Sequence, residues 1–319
     1  MNVGIVGLGH LGKIHLKLLK ELHEFTVTSV YDIDHELTNV YASMYQAKAC
    51  ENYNELLLLN DAICIVTPTP SHFELAEMAI RQGKHVFIEK PATSNLDDTK
   101  KLIKLAREAN VVVQVGHVER FNPAFIAAKN HLKDPLFFEV HRLTSYNKRG
   151  TDVSVVYDLM IHDIDLVLST VKSKVKRIMA SGTAVVSDTA DLVNARLEFE
   201  NGCVANLTAN RIALHNLRKI RIFQRDEYIS IDLLHKHTTI SRIQALSNSN
   251  PLDSNTTLIN DHQLEIKQLQ PVIQPINAIK AELQCFYESI VNKMPIVVSL
   301  NDAEAALTLA QEIEFQITR

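Results

Sequence analysis

The chain has 319 residues, a length that favours two domains, and its 46% hydrophobic content can bury two cores. A formal net charge of −4 sets up no general field for nucleic acid or an anionic membrane. Cys50, Cys64, Cys203 and Cys285 are widely spaced without a Cys-x-x-Cys pair, so they read as reduced thiols of a cytoplasmic protein rather than a disulfide frame or zinc site. The first strand starts at Asn2, which leaves no room for a secretory leader, and no apolar run approaches the roughly 20 residues of a spanning helix.

The chain opens on an apolar strand over 3–6 that runs into Gly7-Leu8-Gly9-His10-Leu11-Gly12, and apolar residues then recur at helical spacing. In this strand, turn, helix order Gly7 allows a tight turn. Gly9 admits a pyrophosphate close to the backbone, and Gly12 lets helix and strand pack. The unpaired N–H groups of the helix start, around His10 and Leu11, would face the anion. A second strand over 26–31 ends at Asp32, 20 residues beyond Gly12, where a carboxylate accepts hydrogen bonds from a ribose diol. Asp32 would repel a phosphorylated ribose and residues 33–36 supply no arginine to receive one, so the expected cofactor is NAD rather than NADP.

Strands are predicted over 48–50, 62–66, 86–88 and 111–115, with helices between them including 73–81 and 96–109. Near-continuous apolar strands alternating with amphipathic helices define a doubly wound parallel sheet, a Rossmann domain over 1–117. Its ligand belongs at the carboxyl ends of the strands. There the sequence places Thr67-Pro68-Thr69-Pro70-Ser71-His72, with two prolines fixing an extended turn and Ser71 as a helix cap. His72 reads either as an exposed helix-start histidine or as a cofactor-side group. Glu89-Lys90-Pro91 ends the fifth strand; Lys90 is placed to handle a proton or stabilise an oxyanion, the alternative being a surface ion pair with Glu89. The sixth strand leads into Gly116-His117-Val118-Glu119-Arg120-Phe121-Asn122-Pro123. His117 leaves the sheet at the same edge, and Arg120 and Asn122 are candidate substrate contacts. Arg120 could instead pair with Glu119 or nearby backbone, and Asn122 could simply start a helix.

From 118 to 319 the pattern changes to a substrate-binding α+β domain. A helix is expected over 123–132, a strand over 136–143, a helix over 156–171, and strands over 175–186, 192–199, 204–209, 219–224, 228–233 and 238–243. Glu200-Asn201-Gly202 predicts a hairpin with a type I′ turn. A loop follows over 251–261, and helices over 277–291 and 302–317 close the chain. The densest titratable cluster is Asp158-Leu159-Met160-Ile161-His162-Asp163-Ile164-Asp165. On a helix Asp158 and His162 share a face, and the carboxylate can orient the imidazole as general base for an alcohol proton. The alternatives are a solvated ion pair, or part of a metal site built on His162, Asp163 and Asp165; a complete ligand set is not evident and no metal is expected.

Together Gly7-x-Gly9-x-x-Gly12, Asp32, Thr67-Pro68, His72, Glu89-Lys90-Pro91 and Asp158-x-x-x-His162 resemble the glucose–fructose oxidoreductase/inositol dehydrogenase (Gfo/Idh/MocA) family. The resemblance spans both domains. It implies an α/β architecture with an open-faced, mostly antiparallel C-terminal sheet, a catalytic trio of Lys90, Asp158 and His162, and a homo-oligomer, dimer or tetramer, formed through that sheet. Within the family, 116–123 and 158–165 look most like the UDP-N-acetylglucosamine 3-dehydrogenases, whose 3-keto product is consumed by an aminotransferase on the way to lipid A. That branch implies a UDP-sugar substrate; inositols or free sugars are the alternative, and an NAD-binding regulator is a rival of another class.

Overall fold

The structure, a computed structural model, describes residues 1–147, 153–245, 256–259 and 264–318. The chain divides into two compact units, Met1–Val118 with Asn277–Leu307, and Glu119–Ile276 with Thr308–Arg319. The expected loop over 251–261 lies largely outside the described residues, which there include only a short strand.

In the first unit, β1 (Asn2–Val6), α1 (His10–Glu21), β2 (Thr26–Tyr31), α2 (His35–Tyr45), β3 (Lys48–Ala49), α3 (Tyr53–Leu59), β4 (Ala62–Ile65), α4 (His72–Arg81), β5 (His85–Glu89), α5 (Leu96–Ala109) and β6 (Val113–Gly116) follow one another. All strand pairs are parallel and the order is β3-β2-β1-β4-β5-β6, the doubly wound arrangement expected from the sequence. Asn and Asp side chains set the helix starts: Asp34 accepts from the Leu37 N–H, Asn52 from Glu55 and Asn95 from Asp98. Ile5, Leu16, Leu19, Val30 and Phe87 form the core on one side of the sheet, and Leu283 and Phe286 of a C-terminal helix complete it.

The second unit contains α6 (Pro123–Lys129), β7 (Phe137–Leu143), α7 (Ile161–Thr170), β8 (Val175–Thr183), β9 (Leu192–Phe199), β10 (Val204–Asn210), β11 (Leu217–Gln224), β12 (Glu227–Asp232), β13 (His237–Ala245), β14 (Thr256–Ile259) and β15 (Leu264–Leu269). They build a nine-stranded sheet in the order β14-β15-β13-β12-β11-β7-β10-β9-β8. Every pairing is antiparallel except β7 with β10. Strict alternation in β7, β9, β10 and β12 puts Phe138, Val140, Leu197, Leu207 and Ile229 inward and leaves the other face partly exposed, the open-faced sheet that was expected. Of the two closing helices, α8 (Ala278–Val291) belongs to the first unit, while α9 (Leu300–Ile317) contributes its last part to the second. There Gln316 Nε2 donates to the Ile178 carbonyl and Gln316 Oε1 accepts from the Ala180 N–H, capping the β8 edge.

Three local readings change. The β9–β10 hairpin is present, but only Gly202 has positive φ, +86°, and its N–H closes a turn on the Phe199 carbonyl. A three-residue loop with glycine in the left-handed position replaces the type I′ turn. Ser71 does not cap α4: its hydroxyl turns back to Thr67 Oγ1 and the Pro68 carbonyl, closing a 3₁₀ turn over Thr69–Ser71. The helix expected over 156–171 begins as a π-helical turn, Val156–Met160, before α7.

Candidate active site

The glycine turn has the geometry its spacing implies. A Cβ on Gly12 would meet the Gly7 carbonyl oxygen at 1.9 Å, so only glycine brings α1 this close to β1. Gly7 has φ +91°, and a Cβ there would lie 2.6 Å from the Val66 carbonyl oxygen. Around Gly9, by contrast, a Cβ would meet no atom within 4 Å, which leaves room at the start of α1 for a pyrophosphate. His10 and Leu11, at the start of α1, are both exposed beside it. Asp32 stands at the end of β2, where Oδ2 accepts the Leu8 N–H at 2.6 Å and Oδ1 the Asp34 N–H at 3.0 Å. A dinucleotide fits this set: open glycine backbone at the phosphates and a fixed carboxylate for a ribose.

His72 is buried, which removes the exposed alternative. Its Nδ1 lies 2.9 Å from the Pro91 carbonyl and its Nε2 2.8 Å from the Thr67 carbonyl, so the ring ties the β4 turn to the loop after β5. Burial lowers its pKa against the two carbonyls. The Lys90–Pro91 peptide bond is cis. Glu89 is not spent on a surface pair: Oε1 lies 2.8 Å from His15 Nε2, and Oε2 accepts the backbone N–H of Lys90 at 3.1 Å. Burial pushes the Glu89 carboxyl up, but the imidazole and the Lys90 N–H override it and hold it below its usual value. Lys90 is half-buried, and His117 is buried at the end of β6. His15, three residues past Gly12, went unnoticed in the sequence; the sign was a polar residue on an otherwise apolar helix face.

In the second unit Asp158 lies in the π turn and His162 in the first turn of α7, both half-buried. Such one-turn widenings of helices are frequent where a side chain must be aimed. The neighbouring carboxylates are engaged by arginines. Arg120 makes a two-pronged pair with Asp165, Nε–Oδ2 2.8 Å and Nη2–Oδ1 2.6 Å. The Arg120 fork, expected to anchor substrate, is thus engaged by Asp165. Arg142 grips Asp163 in the same way, at 2.9 and 2.8 Å, and reaches Glu119 at 2.8 Å. Burial raises the Glu119 carboxyl, yet Arg142 and Asn122 bring it below its usual value. Asn122 donates to Glu119 and to the Leu233 carbonyl while its Oδ1 caps α6, so its side chain is committed to the frame. The Arg142 network was not foreseen, although a charged residue at the inward position after Phe138 and Val140 marks a buried partner.

A glycine turn open to a pyrophosphate, with a ribose carboxylate at the end of β2, defines an NAD-binding Rossmann protein. Family models agree: residues 1–117 match the "Oxidoreductase family, NAD-binding Rossmann fold" and residues 128–229 the "GFO/IDH/MocA C-terminal domain". The chain is 36% identical over 236 residues to the UDP-N-acetylglucosamine 3-dehydrogenase of Acidithiobacillus ferrooxidans, covering 74% of this chain and 75% of that one. The solved structure of that enzyme superposes with a TM-score of 0.89 over 99% of this chain and 97% of its own, at 30% identity. The myo-inositol 2-dehydrogenase of Thermotoga maritima is 26% identical over 262 residues, 75% of this chain and 78% of that one. The chain belongs to the Gfo/Idh/MocA oxidoreductase family, and it is an NAD-dependent dehydrogenase. Among the described residues no helix is long and apolar enough to cross a membrane.

Proposed function

We propose that the protein oxidises a secondary hydroxyl of a nucleotide sugar, the 3-hydroxyl of UDP-N-acetylglucosamine, to a ketone. The observation that carries this reading is the likeness to UDP-N-acetylglucosamine 3-dehydrogenase, structural over 99% of the chain and 36% identical in sequence over 74% of it, against 26% over 75% for the inositol enzyme. Inositol or a free sugar is the second reading, supported by the same family membership. NAD supplies the acceptor for the hydride that leaves the carbinol carbon.

The roles we assign to the chain's own residues follow from their chemistry. His162 takes the hydroxyl proton on a ring nitrogen, and Asp158 orients that ring and stabilises its protonated form. Lys90 donates a hydrogen bond to the same oxygen as negative charge builds on it. Gly9, with the N–H groups opening α1, holds the pyrophosphate, and Asp32 the ribose diol. Thr67, Pro68, His72, Glu89 and His117 shape the cofactor side. Arg120 and Asn122 act on substrate through the frame they brace. The cellular setting we infer is cytoplasmic, and the assembly a homo-oligomer joined by the open sheet. Lys90→Met and His162→Asn should each lower kcat by about 10²-fold or more while leaving NAD affinity within about threefold, measured by NADH absorbance and by NAD titration. Near-normal turnover in both variants would overturn the assignment.

A further inference from the structure

One buried carboxyl group in the first unit has no part in the chemistry described so far. Glu282, on α8, is 0% exposed, and neither of its carboxylate oxygens has a hydrogen-bond partner among the described residues. Its backbone is pinned, since Gln114 Nε2 donates to the Glu282 carbonyl at 2.7 Å. One oxygen of its carboxyl group, one of Glu89 and a ring nitrogen of His15 all lie within 4.8 Å of one another. Apolar rings wall the site: His15 packs on Phe87 at 5.3 Å between centroids, and Phe87 on Phe286 at 6.1 Å.

The groups facing the cluster are few. α1 supplies His15, α4 supplies the buried His72, which feels the charge of Glu89, β4 supplies Cys64 with its Sγ 3.8 Å from His15 Nδ1, β5 supplies Glu89 with Lys90 directly after it, and β6 supplies the neutral Gln114. Burial pushes the Cys64 thiol far up, so it brings no charge. The carboxylate of Glu89 is held by the His15 ring at 2.8 Å and by the Lys90 N–H at 3.1 Å. A second ionised carboxylate would then sit uncompensated in an apolar pocket, the arrangement proteins avoid by keeping the group protonated. A metal ion bridging the three is disfavoured by the His15–Glu89 hydrogen bond, which already uses the facing nitrogen and oxygen.

We propose that Glu282 carries a bound proton in the native enzyme and is a positioning residue for Lys90, because its neutral state leaves Glu89 as the one ionised carboxylate of the cluster at the root of that lysine. The proton itself is independent of the function proposed above; the effect on Lys90 rests on that reading. Ionisation of Glu282 would put a second negative charge behind the group that stabilises a developing alkoxide, and turnover would fall.

The sign of the stability effect follows from burial, which raises the Glu282 carboxyl well above its usual value, with Glu89 adding to the shift. A group with a raised native pKa favours folding in acid and loses that contribution as pH rises above its unfolded value, about 4.3. Glu282→Gln mimics the neutral acid and Glu282→Leu removes the group. The test is the thermal midpoint of NAD-free wild type and both variants from pH 5 to 9, together with kcat over the same range. The Gln variant should match wild type within about 1 °C at pH 5 and exceed it by about 4 °C or more at pH 8, and its alkaline loss of kcat should begin about one pH unit higher. The Leu variant should repeat the pH trend in midpoint, which guards against an effect peculiar to the amide. A midpoint difference that stays flat with pH overturns the proposal, as does stoichiometric metal that chelator removes with loss of stability. A growing difference with superimposable kcat profiles overturns the positioning role. Absence of any NADH formation would count against the proposed function, while the midpoint series would still decide on the proton.

Discussion

Asp32 reaches from the end of β2 to the glycine turn, where its Oδ2 accepts the Leu8 N–H at 2.6 Å. The carboxylate is therefore fixed before any ribose arrives, and its Oδ1 is steadied by the Asp34 N–H at 3.0 Å. Replacing it with Ser removes the two-oxygen carboxylate that receives a diol and the charge that repels a 2′-phosphate. The ratio of kcat/KM for NAD over that for NADP should fall by about 10-fold or more in Asp32→Ser, with most of the loss in KM for NAD. Steady-state kinetics with both cofactors checks this; an unchanged ratio would remove Asp32 from the ribose site.

Gly9 and Gly12 are three residues apart and should respond oppositely to the same change. Gly12→Ala drives a methyl group into the Gly7 carbonyl at 1.9 Å, so the variant should fail to accumulate as folded protein. Gly9→Ala meets nothing within 4 Å and should keep the wild-type melting temperature, but the methyl group fills the pyrophosphate approach and NAD should bind about 10-fold or more weakly. Thermal melts and NAD titration of the two variants separate a packing role from a binding role.

Arg142 compensates both Glu119 and Asp163 inside the second unit. Arg142→Met removes the guanidinium from buried Asp163 and leaves Glu119 only Arg218 at 3.5 Å and the Asn122 amide, and should cost about 3–5 kcal/mol in urea denaturation at pH 7, whereas the triple replacement Glu119→Leu, Arg142→Met, Asp163→Leu should be milder. Glu119 has a native pKa below its usual value, so its contribution is present above the unfolded pKa and is lost as pH falls through the lower native one. Below pH 4.5, therefore, acid should narrow the gap between wild type and Arg142→Met, because protonated Glu119 no longer needs its partner.

Much of this was legible in the sequence where one local rule governs the outcome. The Rossmann order follows from apolar runs and helical periodicity, and Asp32 and Gly12 from a fixed spacing. What escaped depends on partners distant in the chain. Arg120 and Asp165 are 45 residues apart and His15 and Glu89 are 74 apart, so no periodicity links them. The π turn under Asp158 involves a register change that an i to i+4 pattern does not carry. Ser71 had the composition of a cap, but the prolines fold its hydroxyl back on Thr67. The type I′ turn failed for a similar reason: Asn-Gly also suits a three-residue loop in which glycine alone is left-handed.

The substrate is the central claim. Purified protein incubated with NAD and, in separate reactions, UDP-N-acetylglucosamine, UDP-glucose, myo-inositol and glucose, with NADH followed by absorbance, tests it most directly. NADH should form with UDP-N-acetylglucosamine at a kcat/KM about 10²-fold or more above the others; a higher kcat/KM for myo-inositol or a free sugar would contradict it.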